Sequence, residues 1–149
     1  MALKDTISAE LKEAMKARDQ VRLDTLRSAL SAFSYRKIEA GRELDESDQI
    51  EVVRRLVKQR TDSITEFDRG NRPELAAKEQ RERDILSALL PAQKSADDIR
   101  PAVRAALQAL PPAQRNQGAA MKAVMPQLRA EADGATIRDV VLEELRALA

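Results

Sequence analysis

Cysteine, histidine and tryptophan are absent from this 149-residue chain, which also holds one tyrosine, two phenylalanines and four glycines. Without cysteine there can be no disulfide, no thiolate metal site and no sulfur nucleophile. Without histidine, the commonest general base and the commonest metal ligand are both missing. Serines remain, but only lysine or another unusual base could activate them, and the sequence shows no such grouping. It also has no glycine-rich phosphate loop, no strand–turn–helix nucleophile elbow and no metal-ligand cluster. The expectation is a chain with no metal, no cofactor and no catalysis of its own.

An excess of either charge is lacking too. Lys and Arg total 26 against 25 for Asp and Glu, a net charge of +1. Non-specific nucleic-acid binders carry a larger surplus, so any RNA contact must come from a local patch. No apolar run is long enough to span a bilayer, and Met1-Ala2-Leu3-Lys4-Asp5 opens an amphipathic pattern rather than a secretory core. These features predict no membrane association and a cytoplasmic protein.

What is present favours helix. Hydrophobic residues make up 43% and charged residues 34%, with Ala, Leu, Arg and Glu abundant. Leu3, Ile7, Leu11 and Met15 recur every four residues and mark one helix face. After a break near Arg18-Asp19, Leu23, Leu26, Leu30 and Phe33 mark a second. Folding one back on the other sets Leu11 beside Leu26 and Ile7 beside Leu30, an antiparallel hairpin. Gly41 sits where a helix ends, and Asp45 with Asp48 resembles a helix start. A third helix carries Ile50, Val53, Val57, Ile64 and Phe67 and stops at Gly70. Pro73 opens a fourth, with Leu75, Glu79, Glu82, Leu86 and Leu89.

That second hairpin places charge on its apolar line. Arg60 falls on the line of the third helix, and Glu82, and nearly Glu79, on that of the fourth; a turn centred near Asn71 sets Arg60 opposite Glu82, which predicts an ion pair at the seam with Arg27 of the second helix nearby. Such a pair satisfies two charges that could not sit there alone; the other reading is a small polar site between helices. The acidic run Glu43, Asp45, Glu46, Asp48 and Glu51, beside Arg54, Arg55, Lys58 and Arg60, reads as a solvated helix face.

Leu89-Leu90-Pro91 ends the fourth helix, and Pro91 to Lys94 reads as a linker. Ser95 with Asp98 matches a capping box and opens a fifth helix with Ile99, Val103 and Leu107, closed by Pro111-Pro112. A sixth shows Met121, Val124, Met125 and Leu128, with a kink or early end expected at Pro126. A seventh shows Ile137, Val140, Val141, Leu145 and Leu148. Asp133-Gly134 suits a turn with positive φ at Gly134 and a polar cap on that last helix. The expected organisation is all-α: an N-terminal domain of two long-helix hairpins over residues 1–92, then a three-helix domain over residues 93–149.

Two places could meet RNA. Arg54, Arg55 and Lys58 cover about one face of the third helix. In the second domain Lys122, Arg129 and Arg138 flank the Asp133-Gly134 turn, where backbone amides at the start of the last helix could hold a phosphate. Glu131 and Asp133 oppose this. Stacking aromatics are missing from that domain, so contact would be to backbone and shape rather than to bases.

The whole chain resembles the YqeY family, and its C-terminal part is similar to the tail domain of GatB, a subunit of the tRNA-dependent amidotransferase. The likeness rests on MKARDQVRLDTLRSAL, VKQRTDSITEFDRGNRPELAAKE and ERDILSALLP in the first part, and on GAAMKAVMPQLRAEADG in the second. It implies an all-helical protein with a small, ubiquitin-associated-like second domain. The motif positions carried over are Gly118, Met121, Pro126, Ala132, Asp133 and Gly134. Where the family often has Gly and Lys before Ala-Asp-Gly, this chain has Ala130 and Glu131, one positive charge fewer. In GatB the related tail is taken to contact the tRNA of a misacylated glutamyl- or aspartyl-tRNA while other domains perform amidation. The resemblance therefore implies tRNA and an amidotransferase or other translation proteins as partners. Its enzyme label would be a carbon–nitrogen ligase with glutamine as amido donor. The leading expectation is a non-catalytic tRNA-binding or amidotransferase-associated accessory protein. The alternative is a helical protein-interaction adaptor with no RNA role, docking through the Met121–Met125–Leu128 stripe; an unrecognised enzyme ranks last. Met stripes are more often core than docking surface.

Overall fold

The computed structural model describes residues 2–149, so Met1, the first residue of the amphipathic opening, lies outside them. Among the described residues are seven α-helices, one short 3₁₀ turn and no strand, the all-α class expected from the sequence. The helices are α1 (Leu3–Ala17), α2 (Gln20–Ala40), α3 (Glu46–Arg69), α4 (Pro73–Ser87), α5 (Ala96–Ala109), α6 (Gln117–Leu128) and α7 (Gly134–Leu148), with the 3₁₀ turn at Pro112–Gln114. They form two compact units, Met1–Leu90 and Pro91–Ala149.

In the first unit α1 packs on α2 and α3 on α4, while α2 touches both α3 and α4. Ile7, Leu26, Ala29, Val53 and Leu86 are fully enclosed, each large aliphatic chain contributing about 1.5–3 kcal/mol by leaving water. The expected face of α1 needs one correction. Met15 is 55% exposed, and Ala14 is buried in its place. A strict spacing of four drifts by about 40° per step around a helix of 3.6 residues per turn, whereas Ala14 lies about three whole turns from Leu3. On α3 the seam runs through Val52, Val53 and Leu56, with Val57, Ile64 and Phe67 only half-buried.

The connections follow local chemistry. Asp19 caps α2 by accepting from the Arg22 amide. Gly41 ends α2 with φ 67°, the left-handed conformation that glycine adopts without steric cost. At the α3–α4 turn the left-handed residue is Asn71, with φ 55°, and Gly70 keeps a negative φ. Asparagine tolerates that region better than most residues with a side chain. Asp45 and Asp48 form a reciprocal capping box at the start of α3.

The second unit is three helices in mutual contact around Ile99, Val103, Leu107, Val124, Leu128, Ile137, Val140 and Val141. Ser95 and Asp98 close the expected capping box: the Asp98 amide donates to Ser95 Oγ at 3.2 Å, and the Ser95 amide to Asp98 Oδ2 at 3.0 Å. Those bonds hold the Asp98 carboxyl below its ordinary pKa, the Ser95 backbone bond acting most strongly. Ser95→Ala should lower the second unit's stability by about 1 kcal/mol, read as an earlier urea midpoint for the amides of α5; an unchanged midpoint would mean the cap is dispensable. At the other end of α5 the Arg115 guanidinium donates to the carbonyls of Leu107, Gln108 and Leu110 and so satisfies a helix C-terminus.

Pro126 lies inside α6, which ends two residues later at Leu128. Two expectations at the last turn are corrected. Gly134 does not have positive φ, because it is already the first residue of α7, and the side chain of Asp133 makes no capping bond.

Candidate functional site

The motif segment occupies α6, the turn after it and the start of α7. Gly118 is the second residue of α6, behind Asn116, whose Oδ1 accepts from the Ala119 amide at 2.9 Å. Ala132 is buried against the unit's core, while Asp133 and Gly134 are exposed. Met121 and Met125 are half-buried and pack against the same core, and Leu128 is fully inside it. The methionine stripe is therefore core-facing, not an open docking face.

The basic residues of this segment are less uniform than their sequence order suggests. Lys122 and Arg138 are exposed, and Arg129 is half-buried at the end of α6. Lys122 and Arg129 are seven residues apart, about two turns, and so share one side of α6. Arg138 lies 3.8 Å from the neighbouring Asp139. Glu131 is engaged rather than bare: Lys94 Nζ lies 3.1 Å from its carboxylate, and the Lys94 amide donates to the Glu131 carbonyl at 2.8 Å. Because Asp133 leaves the first amides of α7 uncapped by its side chain, the helix start keeps the donors and partial positive charge that attract anions.

The second predicted patch, on α3, is diluted. Arg55 and Lys58 are exposed, but Lys58 pairs with Asp62 at 3.1 Å, and Arg54 is half-buried. The polar seam is assembled as follows. Arg60 Nε lies 3.6 Å from Glu82 Oε2, each side chain 15% exposed, and Lys78 approaches Glu82 at 3.5 Å. The α2 residue that meets Arg60 is Ser28, whose Oγ accepts from Nη2 at 3.4 Å. Arg27 is exposed and Glu79 half-buried, and neither joins this pair.

Two charge clusters have no counterpart in the sequence reading. Glu144 on α7 is 4% exposed. Its carboxylate accepts from Arg100 Nη1 at 3.2 Å and from Arg104 Nε and Nη2 at 3.1 and 3.2 Å. The Arg104 bonds hold its pKa below the ordinary value, against the opposing effect of burial, with Arg100 adding to the depression. Glu144 lies seven residues beyond Ile137, on the apolar stripe, which was the available signal. In the first unit Asp48, expected on a solvated face, is buried and accepts from Arg42 Nη1 at 2.6 Å and Nη2 at 3.2 Å. Its cap duty draws it under the α2–α3 connection, where Arg42 covers it.

Among the described residues, no group of acidic side chains is arranged to hold a metal ion, and no helix is long and apolar enough to cross a membrane.

A family profile described as Yqey-like protein matches residues 4–145. Curated relatives share about half of the chain. A protein named "Altered inheritance of mitochondria protein 41, mitochondrial" from Saccharomyces cerevisiae (strain YJM789) is 40% identical over 81 residues, 54% of this chain and 44% of its own length. Proteins of the same name from Lachancea thermotolerans and Vanderwaltozyma polyspora are 38% and 33% identical over 85 residues, 56% of this chain and 46% of theirs. The match thus spans less than half of these relatives. Their names overturn the cytoplasmic expectation, which rested only on missing targeting signals in the sequence.

Proposed function

We propose, from the premise that this chain belongs to the Yqey-like protein family, that it is an accessory protein without chemistry of its own, one that contacts tRNA or a tRNA-bound amidotransferase through its second unit. The supporting observation is the start of α7, where Asp133 supplies no side-chain cap. The amides there face an exposed turn next to the family motif, and a phosphate oxygen is the natural acceptor for such donors. Lys122 and Arg138 add exposed positive charge on α6 and α7. The Lys94 pair offsets the extra acid at Glu131, which otherwise would repel a phosphate. Aromatic residues are absent from this unit, so recognition is of backbone and shape. The ubiquitin-associated-like character of the three-helix unit belongs to the same reading.

The test is binding to deacylated tRNA over a salt series. Affinity should fall as salt rises, and should exceed that for an unrelated RNA duplex. Lys122→Glu with Arg138→Glu should weaken it about tenfold and shallow the salt slope by about two. Equal affinity for both RNAs, or no response to salt, would remove the RNA role. Turnover of glutamine and misacylated tRNA by the chain alone would replace the accessory role with an enzymatic one.

A further inference from the structure

The first unit contains a cleft of about 530 Å³ that the tRNA reading does not use. Its floor is Phe33, only 4% exposed, and Leu44 adds apolar wall. Lys37 and Ile38, one turn along α2, line one side; Lys4 of α1 and Gln49 of α3 line another, tied together by the Lys4 amide donating to Gln49 Oε1 at 3.0 Å. Arg42 closes the end. Three cations thus meet one lining acid, Glu43, whose carboxylate lies 2.6 Å from Lys37 Nζ. Apolar surface continues outside the cleft. Ile38 is 78% exposed and Tyr35, on the same stretch of α2, is 73% exposed.

We propose that this cleft docks an acidic segment of a partner protein, with a large apolar side chain entering over Phe33 and flanking carboxylates meeting Lys4, Lys37 and Arg42. The volume lies in the range of sites that enclose a bound group, and the cationic rim is complementary to carboxylates. Extent argues for a peptide over a small acid, because a ligand confined to the cleft leaves the outer face of Ile38 uncovered. Aromatic and aliphatic anchors of that kind, ringed by charge, are typical of protein contacts.

The rim is already arranged. Arg42 is held by two bonds to buried Asp48 and by donation to the Glu43 carbonyl at 3.0 Å, so little side-chain freedom is lost on binding. The Lys37–Glu43 pair is exposed on both sides, 52% and 82%, and such pairs contribute little. An incoming carboxylate takes the Lys37 ammonium and Glu43 turns to water.

The experiment titrates the whole chain, isotope-labelled for amide NMR, with a synthetic ten-residue peptide of Glu and Asp around a central Leu-Phe pair. Saturable shifts should be confined to Lys4 and to residues 33–49. Lys37→Glu and, separately, Ile38→Asp should weaken binding about tenfold, and Glu43→Gln should tighten it about threefold. These three positions are exposed, so the variants should keep the wild-type helical circular dichroism; if one does not, the other two decide. No saturation, shifts elsewhere, or equal affinity for the peptide with Leu-Phe replaced by Ser-Ser would overturn the proposal. So would equal affinity for decanoate, or for a single-stranded RNA oligonucleotide at the same residues.

Discussion

Glu144→Ala should unfold the second unit more readily than any other single charge replacement in it, at a cost of about 3 kcal/mol. The wild-type carboxylate is almost wholly buried and takes three hydrogen bonds from Arg100 and Arg104. Removing it takes one carboxylate partner from Arg100, Glu143 remaining at 2.8 Å, and from Arg104 the carboxylate it pairs with. Their own exposure, 27% and 54%, lets water recover part of the loss, which keeps the figure at the lower end for a broken buried pair. A unit of about 60 residues has only a few kcal/mol to lose, so amide exchange in α5 and α7 should approach that of an unfolded chain. Glu144→Gln keeps an acceptor and the shape, and should cost about half as much. The sign of the pH effect follows from the depressed pKa. The carboxylate's contribution is complete above its ordinary value near 4.5 and is lost as pH falls through that value to the lowered one. The gap in urea midpoint between wild type and Glu144→Gln should therefore narrow between neutral pH and pH about 3. A gap that stays constant would mean that charge at this site is irrelevant.

The second large effect is expected at the α3–α4 seam. Glu82→Ala should cost the first unit about 2–3 kcal/mol, while Glu46→Ala, at an exposed helix start, should cost under about 1. The difference comes from what is left behind. Arg60 Nε is buried without a hydrogen-bond partner of its own, and 3.6 Å from Glu82 it depends on the opposite charge. After truncation Ser28 Oγ, at 3.4 Å, is the remaining acceptor among the described residues. The companion double change, Arg60→Met with Glu82→Leu, should recover most of the loss, since apolar replacement of both partners removes the stranded charge as well. Urea unfolding followed by amide signals of α3 and α4 separates these cases. Equal losses for Glu82→Ala and Glu46→Ala would show that Arg60 does not depend on the pair.

The helices were legible because several independent signals coincided. Apolar periodicity gave their faces; Asp45 with Asp48, Ser95 with Asp98 and Gly41 marked ends through bonds that form within four residues, and Pro73 marked one by its fixed φ. The Arg60–Glu82 geometry could be argued in advance since a tight turn at Asn71 ties register across one hairpin. Two other buried charges were not legible. Asp48 and Glu144 look like any helical acid until Arg42, or Arg100 and Arg104, arrive from another segment. The cleft at Phe33 escaped for the same reason: it is built from α1, α2, α3 and a connection. Glycine misled at Gly134, where ordinary helical backbone sufficed, whereas Gly70 ends α3 where expected. The methionines of α6 read correctly as core by composition, and the family motif carried what periodicity could not supply.

Tyr35 stands in water on α2, beside Ser34 of the cleft wall, and no other tyrosine or tryptophan exists in the chain. Ultraviolet emission consequently originates from a single spot on the molecule. Tyr35 belongs to the Met1–Leu90 unit, so that signal reports events there. Quenching of the same light reports whatever settles over the far end of α2, with no dye attached.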